Sequence, residues 1–298
     1  MATIGLIGLG NMGAPMAANL VKAGERVLGF DVVPALREAA AKDGVEIAAA
    51  AGQATQDSEI VITMLPAGEH VRSVWADVLP AARKGALFID CSTIDVASAR
   101  AVHAMAAERG VAALDAPVSG GVGGAKAATL TFMVGGSAEA FARGKPVLER
   151  MGKRVVHCGE AGNGQVAKIC NNMILGVSMI AVCEAFILAE KLGLSHQAMF
   201  DVVSTASGQC WSLTTYCPVP GLVPTSPANN AYKPGFSAAL MLKDLKLAQQ
   251  AAAAAGAATP LGAEAAQVYA LFNNAGGSGA DFSGVIRYLR GEKAGASS

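Results

Sequence analysis

Three features of these 298 residues predict an α/β fold: a doubly wound parallel sheet, then a long connecting helix and an all-α C-terminal half. The first is a glycine-punctuated turn, Gly8-Leu9-Gly10-Asn11-Met12-Gly13, set between an apolar run and a helical pattern. The second is the alternation of short apolar runs with helical patterns up to about residue 160. The third is the glycine-rich break Gly159–Gly164, beyond which the apolar spacing is helical only. These give expected boundaries of 1–162 for a dinucleotide-binding domain, 163–192 for the long helix and 193–298 for a helical domain.

The elements follow in order. Ile4–Ile7 reads as the first strand, and Met16, Leu20 and Val21 mark the helix after the turn. A second strand, Val27–Phe30, ends on Asp31, about 20 residues beyond the turn. This is the full context that a dinucleotide site requires. Gly8 allows the tight turn, Gly10 lets a pyrophosphate approach the backbone, and Gly13 lets helix and strand pack closely. The helix N-terminus offers its N–H groups to phosphate, with Asn11 and Met12 at the approach. A carboxylate at Asp31 accepts hydrogen bonds from a ribose diol and repels a 2′-phosphate, which favours NAD over NADP. A glycine turn that binds no nucleotide is the alternative.

Pro34–Gly44 is an alanine-rich helix, and Ile60–Leu65 is a continuous apolar run expected to be a buried parallel strand. Pro66 follows at the strand's C-terminal end, where ligands sit in open α/β sheets. His70, at the start of the next helix, is either a cofactor neighbour or a solvated or capping histidine. Ala86–Asp90 is another strand. Ser92 or Thr93 then caps the helix near Val96, lines the nicotinamide end, or does both. Val111–Asp115 leads to Ser119-Gly120-Gly121, whose backbone N–H groups make a nest for a carboxylate. Leu130–Val134 and Val155–His157 complete the strands.

Asn163 is the expected N-cap of a helix to about Leu192, with Gly193 as its stop. Gln165, Lys168, Asn171 and Asn172 share one face of it. The rest is apolar almost all round, so burial between domains or subunits is expected. Further helices are expected at Gln197–Ser204, Ala238–Ala255 and Leu261–Asn273. Between them, Tyr216–Gly235 is a long loop rich in Pro, Asn and Ser, and Gly291–Ser298 reads as a frayed tail.

Composition narrows the function. Hydrophobic residues are 52%, charged residues 15%, and the formal net charge is zero. No basic patch points to nucleic acid. The low charge fraction fits extensive burial, as in an oligomer. No basic n-region precedes the first strand, so a cytoplasmic protein is expected. Ser178 and Glu184 interrupt the apolar segment Met173–Leu188, which argues against a membrane span. The six cysteines show no CxxC and no zinc spacing, so no metal site is expected.

Hydride transfer needs a partner that moves a proton. Lys168 is the strongest candidate, because it lies on an apolar helix with two amide neighbours and no nearby acid. Burial would favour its neutral form. A lysine paired with a distant carboxylate, or reaching solvent, is the alternative. Lys243 either neutralises a ligand or pairs with Asp244. Trp211 either walls a pocket or packs in a core or interface.

Four stretches together resemble the β-hydroxyacid dehydrogenases: Ile7–Met16, Asp115-Ala116-Pro117-Val118-Ser119-Gly120-Gly121, Gly164–Asn172 and Lys243-Asp244-Leu245. The resemblance covers almost the whole chain. It implies a Rossmann-type N-terminal domain, a long connecting helix and a helical C-terminal domain, assembled as a homodimer or homotetramer. It implies that Leu65, Pro66, His70, Thr93, Phe236 and Lys243 lie along NAD. Ser119, Gly120 and Gly121 would hold the substrate carboxylate, with Asn171 and Trp211 also at the substrate. Lys168 would be the general acid/base, and Asn172 would orient the hydroxyl. The long Tyr216–Gly235 loop is similar to that of members acting on 3-hydroxyisobutyrate. The implied reaction is its NAD-dependent oxidation to methylmalonate semialdehyde, a step of valine catabolism. Other small β-hydroxyacids (serine, 3-hydroxypropionate, or tartronate semialdehyde in reduction) are the alternatives, as is a non-catalytic NAD-binding protein. Gln209-Cys210 departs from the Gly-Asn expected before Trp211, which leaves side-chain preference open.

Overall fold

The computed structural model describes residues 2–292, so the expected tail lies outside the described residues from position 293 on. The chain divides into two compact units, one ending at Lys168 and the other starting at Ile169.

In the first unit β1 (Thr3–Ile7), α1 (Gly13–Lys22), β2 (Arg26–Phe30), α2 (Pro34–Ala41), β3 (Glu46–Ile47) and α3 (Ala51–Gln56) come first. Next are β4 (Ile60–Thr63), α4 (Gly68–Val78), β5 (Leu87–Asp90), α5 (Val96–Ala107) and β6 (Ala112–Asp115). The unit closes with β7 (Val118–Ser119), α6 (Gly121–Lys126), β8 (Leu130–Gly135), α7 (Ala138–Leu148), β9 (Gly152–Gly159) and the first turn of α8 (Asn163–Lys191). The sheet order is β3-β2-β1-β4-β5-β6-β8-β7, with β9 on β8. The strands from β3 to β6 are all parallel. The order reverses between β1 and β4, which opens a crevice at their C-terminal ends.

Side-chain alternation explains why helices cover both faces. Ile4, Leu6, Ile60, Ile62, Leu87 and Ile89 enter one buried cluster, while Ile7, Val61 and Phe88 enter another with Trp75 of α4. Strands buried on both faces read as unbroken apolar runs, which is why they were visible in the sequence.

At the far edge β8 runs antiparallel to β6 and β7 and parallel to β9. An apolar run carries no sign of its direction, so this reversal is known only from the structure. The two-residue strands β3 and β7 are too short to show a period.

Three local expectations are corrected. β4 stops at Thr63, not Leu65, because the Leu65 N–H leaves the ladder and donates to Ser92 Oγ at 2.8 Å. The cap of α5 is Asp95, not Ser92 or Thr93: the helix starts at Val96, and Asp95 accepts from Ser98 N at 2.7 Å. Asn163 does not cap α8, since its side chain donates to Cys158 O at 3.2 Å. The cap comes from Asp115, which accepts from Gly162 N at 2.8 Å and Gln165 N at 3.0 Å.

The second unit holds the remainder of α8, then α9 (His196–Val203), α10 (Trp211–Thr214), α11 (Ala238–Ala255), α12 (Pro260–Phe272) and α13 (Val285–Leu289). Its core includes Met179, Cys183, Phe186, Met241, Tyr269, Phe272, Phe282 and Ile286. Gly193, at φ +82°, follows the end of α8. By length and composition alone α8 could cross a bilayer, with a mean hydropathy of 2.0 over its most apolar stretch. The helix is longer than the Met173–Leu188 segment, and the core helix of a globular protein passes the same test of length and composition.

The Tyr216–Gly235 loop holds a single 3₁₀ turn, Pro227–Asn230. Its ends are tied by the buried Asp281 carboxylate, whose Oδ2 accepts from Tyr216 OH at 2.9 Å, Gly235 N at 3.0 Å and Phe236 N at 3.2 Å.

Candidate active site

The glycine turn lies at the crevice. Gly8 has φ +99°, and an added Cβ would stand 2.3 Å from Met64 O. A Cβ on Gly13 would stand 1.8 Å from Gly8 O, whereas one on Gly10 would meet nothing within 4 Å. The turn is therefore tight at both ends and open in the middle. Met12 occupies the N-cap of α1 without a side-chain hydrogen bond, and the first turn carries no acid. Ala14 N already donates to Gly10 O at 3.0 Å and Pro15 has no N–H, so the amides that an outside anion such as a pyrophosphate could reach are those ahead of them. Asn11 is exposed beside them.

Asp31 is anchored rather than loose. Its Oδ2 accepts from Leu9 N at 2.7 Å and its Oδ1 from Val33 N at 2.8 Å. Each oxygen keeps lone-pair capacity for a ribose hydroxyl. Arg37, not singled out from sequence, donates to the Asp31 main-chain oxygen at 3.0 Å and lies over the Phe30 ring. Leu65 is half-buried and Pro66 exposed, in the loop after β4. His70 is exposed on α4, with Glu69 as its charged neighbour at 4.0 Å.

Beyond β5 and β6 a buried polar seam holds the start of α8. Asp90 Oδ1 accepts from Thr63 Oγ1 at 2.7 Å and Ser92 Oγ at 2.6 Å. Gln165 donates to Ser92 O at 2.8 Å and accepts from Ile94 N at 3.1 Å. Asp115 Oδ1 also bonds His103 Nε2 at 3.0 Å. Lys168 lies one turn further along α8 and is only 6% exposed. Thr93 is half-buried between the Ser92 and Ile94 anchors.

Ser119 pairs with Thr131 of β8, while Gly164 packs against Met133 O of the same strand. Gly120 and Gly121 follow at φ +128° and +60°, left-handed conformations that favour glycine. Sequence reasoning gave Asp90 no role and left Asp115 only as the head of a motif. The available signal was an acid closing each of two otherwise apolar strands.

In the second unit Asn172 is buried. Its Nδ2 donates to Asp244 Oδ2 at 2.5 Å, and its Oδ1 accepts from Asn171 at 2.9 Å. Lys243 Nζ lies 3.8 Å from Asp244 Oδ1, the pairing weighed from sequence. Asp244 itself is buried. Trp211 is 48% exposed, which excludes a core role within this chain, and it stacks on Tyr216 at 4.9 Å. Phe236 is half-buried against Phe282.

Residues 3–159 match the family model described as the NAD binding domain of 6-phosphogluconate dehydrogenase. Residues 162–289 match one described as NAD-binding of NADP-dependent 3-hydroxyisobutyrate dehydrogenase. A solved structure of Mycobacterium tuberculosis 3-hydroxyisobutyrate dehydrogenase with L-serine superposes with TM-score 0.95 at 59% identity, covering 97% of this chain and 99% of that one. The 3-hydroxyisobutyrate dehydrogenase of Pseudomonas aeruginosa is 49% identical over 98% of this chain and 100% of its own length. An NAD-dependent L-serine dehydrogenase of the same organism is 46% identical, over 96% and 97%.

Proposed function

The chain belongs to the 3-hydroxyisobutyrate dehydrogenase family of NAD(P)-dependent oxidoreductases, and we propose that it oxidises 3-hydroxyisobutyrate to methylmalonate semialdehyde with NAD, in valine catabolism. The observation that carries this reading is the buried Lys168, on a helix whose first turn is bonded to the ends of β5 and β6. Bound NAD would accept the hydride at C4 of its nicotinamide.

The remaining work falls to this chain's residues. The backbone N–H groups at Ser119–Gly121 hold the substrate carboxylate. Lys168, as the neutral amine, takes the hydroxyl proton while the same carbon loses hydride; in reverse it returns that proton. Asn172 lies four residues on, and its Nδ2 carries a second hydrogen with which to orient the hydroxyl. Asn171 and Trp211 complete the substrate side. Along the cofactor lie Gly8, Gly10, Asn11, Met12, Gly13 and Asp31, then Leu65, Pro66, His70, Thr93, Phe236 and Lys243. Residues 1–162 form the cofactor domain, 163–192 the connecting helix and 193–298 the domain for substrate and assembly. The enzyme works in the cytoplasm as a homodimer or homotetramer.

NAD is favoured because a carboxylate at Asp31, just past the end of β2, would accept hydrogen bonds from a ribose diol and repel a 2′-phosphate. Arg37 turns its guanidinium to a main-chain oxygen and a ring. A second reading, oxidation of L-serine, is supported by the L-serine in the M. tuberculosis structure and by the P. aeruginosa relative.

A panel of 3-hydroxyisobutyrate, L-serine and 3-hydroxypropionate, each with NAD and NADP, separates these readings. The highest kcat/KM is expected for 3-hydroxyisobutyrate with NAD. A higher value for serine replaces the substrate, and a higher value with NADP overturns the Asp31 argument.

A further inference from the structure

We propose that Asp90 is a positioning residue for the cofactor, holding the Leu65 backbone through Ser92 more firmly when it is ionised than when it is protonated. The proposal rests on the reading of Leu65–Pro66 as a cofactor contact.

Asp90 closes β5 and is 1% exposed. Its Oδ1 accepts from Thr63 Oγ1, Ser92 Oγ and, at 3.3 Å, Ser92 N. Its Oδ2 is equally buried and has no hydrogen-bond partner among the described residues. The Ser92 hydroxyl has a single proton, which goes to Asp90, so its lone pairs face the Leu65 N–H. The relay therefore has one direction: Leu65 N–H to Ser92 Oγ–H to Asp90. The carbonyl of Ser92 also receives Gln165, so the same residue touches the first turn of α8.

A buried carboxylate with an orphan oxygen lowers stability, and each such group in a folded protein needs an explanation. An asparagine would present the same Oδ1 acceptor. What the carboxylate adds is charge: hydrogen bonds to an ionised acceptor are roughly twice as strong as neutral ones. Burial pushes the Asp90 carboxyl up to about 7, with Ser92 and Thr63 opposing and Asp115 adding to the rise. A proton on the partnerless Oδ2 leaves every bond to Oδ1 in place but neutral. The relay thus tightens as pH rises through neutrality.

The ionisable groups facing Asp90 are few. Asp115 is its register partner on β6, and His103 of α5 bonds to Asp115 rather than Asp90. The thiol of Cys91, next in the chain, is pushed well up by burial and stays neutral. From α4 comes the uncharged Trp75 indole, which donates to Thr63.

The test is the dissociation constant of NAD on the full-length protein at pH 6 and pH 8, with Asp90→Asn, Ser92→Ala and Thr63→Val. Wild type should bind about threefold to tenfold more tightly at pH 8. Asp90→Asn should bind equally at both and match wild type at pH 6. Ser92→Ala breaks the relay without removing the carboxyl, so it should bind weakly and without pH dependence. Thr63→Val removes a donor outside the relay, so its pH dependence should persist with a higher midpoint. A merely structural Asp90 predicts lower melting temperatures but an NAD response to pH like that of wild type; that result in both Asp90→Asn and Ser92→Ala overturns the proposal. A wild type that does not bind NAD at all overturns the cofactor reading instead.

Discussion

Helices α1 and α8 both begin at the C-terminal ends of parallel strands, yet their N-termini are finished in opposite ways. Every helix start leaves four N–H groups without intrahelical partners. At α1 the main-chain oxygen of Gly10 takes Ala14 N and Pro15 has no N–H to offer, but Met12 gives no side-chain cap, no acid stands in the first turn, and Gly10 faces open space. At α8 the Asp115 carboxylate takes Gly162 N and Gln165 N, while the Gln165 side chain ties the turn to Ser92 and Ile94. The dipole end of α1 is left for an anion from outside. That of α8 is neutralised from within, which makes the helix a fixed mount for Lys168. On the proposed roles this contrast would separate binding from chemistry, and mutations can test the separation.

Lys168→Ala should have the largest effect. Loss of a positioned acid/base should lower kcat by about 10³-fold. NAD affinity should stay within about twofold of wild type, because α1 and Asp31 are untouched. Stopped turnover together with lost NAD binding would show that α8 also holds the cofactor. Near-normal turnover would remove Lys168 from the reaction.

The glycines probe the other side. In Gly13→Ala the new Cβ would stand 1.8 Å from Gly8 O, so strand and helix must separate. The expected cost is about 3 kcal/mol of stability, read by denaturant titration, with NAD binding weakened as well. Gly10→Ala meets nothing within 4 Å. It should leave the melting temperature unchanged but weaken NAD binding about tenfold, since the methyl occupies the space a pyrophosphate needs. Equal destabilisation by the two substitutions would deny that Gly10 is open for a ligand.

How much of this the sequence showed depends on how local the cause is. Gly8, Gly10 and Gly13 act through bonds within a few residues, so their spacing is enough to read. The strands β4 and β5 announce themselves because burial on both faces leaves no polar positions. The caps were misread for the converse reason. Asn163 is a plausible cap by type and place, but Asp115 arrives there from 47 residues earlier. Asp90 is similar: nothing near it in sequence says that its Oδ2 lacks a donor or that Ser92 turns toward Leu65. In the second unit, the bond from Asn172 to Asp244 spans 72 positions. Contacts of that kind depend on the assembled fold.

Asp115→Asn tests the other helix start. An asparagine can accept through Oδ1, but its Nδ2 would face a backbone N–H, either Gly162 or Gln165. One cap bond is lost, and two donors are brought together in a site where Asp115 is 1% exposed. The expected loss is about 1–3 kcal/mol of stability. Glutamate offers no rescue, because the site is closed around the shorter acid: a Cβ on Gly135 would stand 2.5 Å from Oδ1, and one on Gly164 2.8 Å from Oδ2. The loosened element is the first turn of α8, so kcat should fall about tenfold while NAD affinity holds. If NAD affinity fell and kcat held, the two helix starts would not divide the work, and the cap on α8 would serve the cofactor rather than the lysine.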